Sequence, residues 1–444
     1  MVDGFDEVLD LGRSQGSWYF EATNPSPEPR DHYVDFYTGF ASMPLGYNHP
    51  RLQADDVLKR LGRIAGNKPA CSDTYTAEQA AFVETLFRVA APPQFPWAFL
   101  VEGGSVGIEN ALKTAFDWKV QKNLQRGFTP GAGYPDGHGH LVIHFKDCFH
   151  GRTGYTLSLT DSPDPAKTQW FPKFSWPRVT NPKLTFPLTE ESLAETMKLE
   201  ARALAEIHCV LRERPHQTAA MIIEPIQAEG GDNHFRPEFL QALRDLADEH
   251  EFLLIFDEVQ TGVGITGSMW AHQTLGVIPD LLCFGKKMQV CGFLARRDRL
   301  DQVDQHVFKR SSRINSTWGG NLVDMVRSQL HLEIIEDEGL IERNVVPMGA
   351  HLLGALHQLQ DDLGGAISNA RGRGLLCAFD LHPSIDPNVL LREARRERVL
   401  VLKCGLRSIR FRPALNITAD VIDEGMTRLR RALARLYDPS RLGS

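Results

Sequence analysis

Short apolar runs alternate with amphipathic stretches along most of the chain. AFLVE (98–102), HLVIHF (140–145), AAMIIEP (219–225) and FLLIFDE (252–258) are too short for buried helices and show little polar alternation, so they read as strands covered on both faces. Between them lie stretches with helical spacing. Phe239, Leu240, Leu243, Leu246 and Ala247 line one face just after Pro237, a residue tolerated in a first helical turn. Near the C-terminus Ile422, Met426, Leu429, Leu433 and Leu436 step by threes and fours, which predicts a surface helix with Arg428, Arg430, Arg431 and Arg435 on its other faces. The rhythm is that of an α/β protein with a largely parallel sheet. From about Gly320 onward it becomes less regular, which predicts a smaller C-terminal lobe.

Length and composition narrow the class. A chain of 444 residues exceeds one compact core and predicts two or three lobes around a cleft. With 42% hydrophobic and 24% charged residues it has ample apolar surface to fold. The formal charge of -7 without a long basic run argues against a nucleic-acid partner. Seven scattered cysteines form no CxxC pair, so they read as reduced thiols and no metal site is expected. The N-terminus lacks a signal-peptide pattern and no apolar run reaches spanning length, so a cytoplasmic protein without a membrane partner is expected. The Gly- and Pro-rich stretch 127–140 reads as a loop inserted within a domain.

Three motifs carry more than one meaning. GGSVG (103–107) satisfies the G-x-S-x-G of a hydrolase nucleophile, with Ser105 attacking, and equally the Gly-rich turn of a phosphate cradle at a helix N-terminus. GVGITG (262–267) spells G-x-G-x-x-G, but DEVQT separates it from its strand and no GxxxxGK[ST] completes a P-loop. Asp257 and Glu258 stand at a strand's carboxyl end, where open parallel sheets place ligand contacts. Downstream, PDLLCFGKKM (279–288) ends a second short run in Gly285 and Lys286.

A strand ending in Asp-Glu-Val-Gln, a Gly-rich turn and a second strand ending in Gly-Lys closely resemble the class III aminotransferases that depend on pyridoxal 5'-phosphate (PLP). The resemblance runs from about residue 10 to 437 and is most specific between 99 and 320. It implies the fold type I architecture: a large domain over 56–322 with a mostly parallel seven-stranded sheet, and a smaller α+β domain from segments 1–55 and 323–444. It implies that Lys286 holds PLP as a Schiff base and that Asp257 keeps the pyridine nitrogen protonated, so that the ring acts as an electron sink. By the same likeness Gly104 and Ser105 bind the phosphate, Phe149 and His150 in CFHGRTGYT lie at the ring, and Gln260 meets the phenolic oxygen. Thr317 in NSTWGGN would reach the neighbouring subunit's phosphate, which implies a homodimer with shared sites, and Lys287 matches no catalytic role. Departures are Ile265 where Arg is usual, KMQVCG after the lysine, and Leu322 where Pro is common.

The family's substrate chemistry implies a movable ion pair, which Glu229 in EPIQAEGGD and Arg410 in IRFRP match, while Arg152 takes the carboxylate at a substrate's far end. EGGDNHFRPEF and FGKKMQVCGFLA most resemble the branch that moves the ε-amino group of L-lysine to 2-oxoglutarate, giving L-glutamate. The 4-aminobutyrate and ornithine branches are its neighbours, and a serine hydrolase built on Ser105 is the reading from another class.

Overall fold

The computed structural model describes residues 6–128 and 139–437, so most of the loop read over 127–140 lies outside the described residues. The chain divides into two compact units, one of residues 64–262 and 270–332 and one of 1–63, 263–269 and 333–444.

Seven strands form the sheet of the first unit: β1 Trp97–Val101, β2 Leu141–Phe145, β3 Arg178–Val179, β4 Thr218–Ile223, β5 Leu253–Asp257, β6 Leu281–Phe284 and β7 Cys291–Ala295. Their order is β1-β7-β6-β5-β4-β2-β3. β7 runs against both its neighbours, and every other pair is parallel. The helices of this unit used below are α1 Gly104–Gln125, α2 Gly154–Leu159, α3 Glu190–Glu213, α4 Pro237–Glu249 and α5 Ala271–Leu275.

The apolar runs lack polar alternation because both faces of the sheet are covered. Met221, Ile223, Leu254 and Phe256 pack against Ile207 and Leu211 of α3 and Phe239 and Leu243 of α4. Their neighbours Ala220, Ile222, Leu253 and Ile255 point to the other face and meet Ile108, Leu112, Ala115 and Trp118 of α1. Thr189 caps α3 by accepting the Ser192 amide at 3.1 Å, and Pro237 opens α4. GVGITG lies in turns and opens no helix, as its distance from the strand predicts.

The second unit holds a four-stranded antiparallel sheet of β8 Ile367–Arg373, β9 Leu376–Leu381, β10 Leu402–Cys404 and β11 Ser408–Phe411, in the order β8-β9-β11-β10. Trp18–Tyr19 and Tyr33–Asp35 join Val399–Leu400 in a small three-stranded sheet, so segments far apart in sequence build one unit. Its last helix, α6 Ala419–Leu436, buries Ile422, Met426, Leu429 and Leu433 as the spacing predicts.

Arg428 corrects that picture. It is buried, and its guanidinium donates to the carbonyls of Arg30 (2.7 Å), His32 (2.8 Å) and Arg398 (3.2 Å). Those carbonyls lie around the small sheet, and the Arg398 carbonyl also accepts the Val34 amide at 2.9 Å, so Arg428 ties the sheet's edge to the segment before it. Among the described residues no helix is long and apolar enough to cross a membrane.

Gly292 fixes how closely β7 and β1 approach. A Cβ there would stand 1.9 Å from the Phe99 carbonyl oxygen, and φ is +157°. The Gly292 backbone also lies only 3.1 Å from where a Cβ on Gly107 of α1 would sit, so the first turns of α1 rest against the sheet itself. Gly292→Ala is therefore expected to cost about 2–4 kcal/mol. Denaturant unfolding with an unchanged midpoint would contradict this account.

Candidate functional site

The carboxyl ends of five parallel-running strands open onto one cavity of about 460 Å³. β1 leads to Gly104 and Ser105, β2 to Phe149, His150 and Arg152, β4 to Glu224 and Glu229, β5 to Asp257 and Gln260, and β6 to Lys286, and all these residues line it. Open α/β sheets place their ligands at this edge. A larger hollow of about 1010 Å³ in the same unit, bounded by Phe116, Tyr155 and Trp176, touches none of these residues.

Asp257 ends β5 in a buried position. Its Oδ2 is 2.8 Å from His150 Nδ1, and its Oδ1 accepts the Val259 amide at 3.1 Å. Burial works against a charged His150 imidazole, but the neighbouring Cys148 and the Asp257 carboxylate outweigh it and raise its pKa well above the ordinary value. His150 Nε2 is buried and meets no hydrogen-bond partner among the described residues.

Glu258, next in the chain, faces the other way and serves the fold. Its carboxylate accepts the amides of Ala271 (2.6 Å) and His272 (2.9 Å) at the start of α5 and the Thr261 hydroxyl (2.9 Å). Burial nonetheless pushes it up to about 7, against the pull of those hydrogen bonds.

Lys286 sits half-buried in the turn between β6 and β7 with φ +50°, a left-handed conformation that a non-glycine residue adopts at some cost. Lys287 is buried, and its Nζ donates to the Gln260 carbonyl at 2.7 Å. Adjacent lysines thus divide between the cavity and the turn that carries Gln260.

Ser105 occupies the first turn of α1, where amides have no carbonyl one turn back. Its hydroxyl meets those of Thr153 (2.6 Å) and Thr156 (2.8 Å) and no histidine. Glu109 completes the cluster by accepting Thr153 Oγ1 at 2.8 Å and the Thr156 amide at 3.0 Å. A serine nucleophile needs a base on its hydroxyl, and Ser105 Oγ meets only threonine hydroxyls, while His150 Nε2, the ring atom such a base would use, meets no partner among the described residues.

Arg152 is exposed at the cavity and pairs with no carboxylate among the described residues. Two of the expected site residues, Thr317 and Arg410, are not among this lining. Thr317 is exposed in a turn whose carbonyl accepts the Ser72 hydroxyl at 3.0 Å, and Arg410 is buried on β11 in the second unit, opposite Ala378 and Leu402.

Glu224 was not among the expected residues. Its two oxygens accept the amides of Phe149 (2.9 Å) and Ala228 (3.1 Å), tying the loop after β2 to the turn that carries Glu229. Burial pushes its carboxyl up to about 7, with His150 working against the rise and Asp257 adding to it. The signal was an acidic residue closing an otherwise apolar strand in AAMIIEP.

The family model for class-III aminotransferases matches residues 9–433. The chain belongs to that family. An L-lysine-epsilon aminotransferase of Mycobacterium tuberculosis is 47% identical over 434 residues, covering 98% of this chain and 93% of the relative. The solved lysine aminotransferase from M. tuberculosis in its internal aldimine form has a TM-score of 0.92 at 46% identity, covering 98% of this chain and 97% of that one. A mitochondrial 4-aminobutyrate aminotransferase of Mus musculus is 34% identical over 398 residues, covering 86% of this chain and 77% of the relative.

A class-III aminotransferase is a PLP-dependent transaminase, and the cavity suits that cofactor. Lys286 offers a primary amine to an aldehyde, Asp257, oriented by His150, a buried carboxylate for a protonated ring nitrogen, and the start of α1 with its hydroxyl cluster an anion-binding turn.

Asp257→Asn removes the carboxylate that favours a charged His150. The His150 pKa is expected to fall, because burial then meets less opposition. An NMR pH titration of the His150 ring in both proteins measures this, and an unshifted titration would refute the pairing.

Proposed function

We propose that this chain is an L-lysine 6-aminotransferase. It moves the ε-amino group of L-lysine to 2-oxoglutarate, giving L-glutamate and 2-aminoadipate 6-semialdehyde, which cyclises to piperideine-6-carboxylate. The observation that carries the reading is near full-length identity of 47% to a relative named for this activity, against 34% to one named for 4-aminobutyrate.

PLP supplies an electron sink for the charge left when a C–H proton departs from the carbon bearing the amine. Asp257, oriented by His150, would keep the ring nitrogen protonated, and Gln260 would meet the phenolic oxygen. Gly104 and Ser105 would hold the phosphate, with Phe149 at the ring. Lys286, the residue that would hold the aldehyde, would also serve as the general base that takes the proton from the substrate's Cε.

Both substrates carry a carboxylate far from the reacting centre, and Arg152 binds it. 2-Oxoglutarate adds a second carboxylate beside its reacting carbon, which L-lysine lacks at Cε. Arg410 takes that group in the keto acid, and Glu229 neutralises Arg410 when L-lysine is bound. The enzyme acts in the cytoplasm as a homodimer, each Thr317 serving the neighbouring subunit's phosphate.

The purified protein is expected to be yellow, with a colour that borohydride alters irreversibly, and Lys286→Ala to abolish amino transfer. Offered L-lysine, L-ornithine and 4-aminobutyrate with 2-oxoglutarate, it should favour L-lysine by at least about tenfold in kcat/KM. Turnover of 4-aminobutyrate without L-lysine would assign it to the other branch.

A further inference from the structure

Glu229 already has a partner within its own unit. Lys167 Nζ stands 2.5 Å from Glu229 Oε1, and the Ser162 hydroxyl donates to the same oxygen at 2.9 Å. The second oxygen, Oε2, is buried and meets no hydrogen-bond partner among the described residues.

The cradle is built from a short, internally fixed segment. Ser162 Oγ accepts the Asp164 amide at 3.2 Å, which leaves its own hydrogen for Glu229. Asp164 in turn accepts the Ala166 amide at 3.1 Å and caps the single turn Pro165–Lys167 that carries the lysine.

The backbone beneath Glu229 is equally fixed. Glu224 accepts the Ala228 amide, and the Asp232 amide closes the turn on the Ala228 carbonyl at 3.1 Å. A Cβ on Gly230 would lie 1.7 Å from the Asp147 carbonyl oxygen, so the turn is pressed onto its neighbour. Only the Glu229 side chain is left to move.

We propose that Lys167 and Ser162 form a docking site for the Glu229 carboxylate, making Lys167 a specificity-determining residue that stabilises the keto-acid-accepting state. The inference rests on the reading that Glu229 neutralises Arg410 while the amine is bound. Lys167 and Arg410 then compete for one carboxylate. A cation that binds one of two positions of a side chain shifts its population by the difference in affinity. Holding Glu229 at Lys167 keeps its carboxylate from competing with a dicarboxylate for Arg410, and loss of Lys167 returns Glu229 to Arg410.

The test uses the holoenzyme and glutarate, a dicarboxylate that cannot react, titrated by calorimetry. Lys167→Met should weaken glutarate binding about tenfold, the shift one charge-assisted hydrogen bond makes in a two-position equilibrium. The 2-oxoglutarate half-reaction should lose kcat/KM by a similar factor, while the L-lysine half-reaction should not slow. Lys167→Arg should retain binding, and in a Glu229→Gln background Lys167→Met should have no effect. Equal loss in both half-reactions, or a loss that persists with Glu229→Gln, would overturn the proposal. Arg410→Met separates the two layers: if it binds glutarate normally, the pairing of Glu229 with Arg410 is wrong. If Arg410→Met loses glutarate and Lys167→Met does not, only the role of Lys167 fails.

Discussion

A carboxylate buried at the end of a strand that is itself buried on both faces has to be matched by a positive partner. At Asp257 that partner is His150, 2.8 Å away, whose pKa, against the effect of burial, is raised well above the ordinary value by Cys148 and Asp257. Much of the cavity follows from this pair. His150 brings the loop after β2 to the end of β5, Phe149 comes with it, and Glu224 fastens the same loop to the turn of Glu229. Asp257, Glu258 and Gln260 leave one strand end for three destinations: an imidazole, a helix start and a lysine-held carbonyl.

Several of these features were legible in the sequence. FLLIFDE is a continuous apolar run because α1 covers one face of the sheet and α3 and α4 the other, so its reading as a buried strand followed from pattern, whereas LLCF read as a strand through the family resemblance. Residues scattered from Gly104 to Lys286 line one cavity because each follows a strand, and parallel strands end on the same side. The G-x-S-x-G motif was ambiguous because a helix start suits an anion or a nucleophile equally. The contacts of its hydroxyl, which lie about fifty residues downstream, could not be read locally.

What escaped the sequence were polar groups acting across long separations. Arg428 falls at helical spacing among surface arginines, and periodicity does not reveal that three carbonyls from other segments await it. Lys287 looked like a spare beside Lys286 until its target, the Gln260 carbonyl, was located. Lys167 lies in a polar stretch with no motif, and its partner Glu229 is 62 residues away. Hydrophobic pattern encodes which side of an element is inside; it is silent about which charge meets which.

The single reversed strand has a geometrical consequence. β6 and β7 are adjacent, with Phe284 opposite Gly292, so the seven residues between them must turn within the width of one ladder spacing. The amine of Lys286 is thereby measured off against Asp257 by the sheet's own lattice, since Cys283 pairs with Asp257 in the neighbouring register. Most loops tolerate an added residue, but here one insertion would shift the amine out of step with the carboxylate. The hairpin works as a ruler, and the remainder of the protein governs who reaches the amine while leaving its address unchanged.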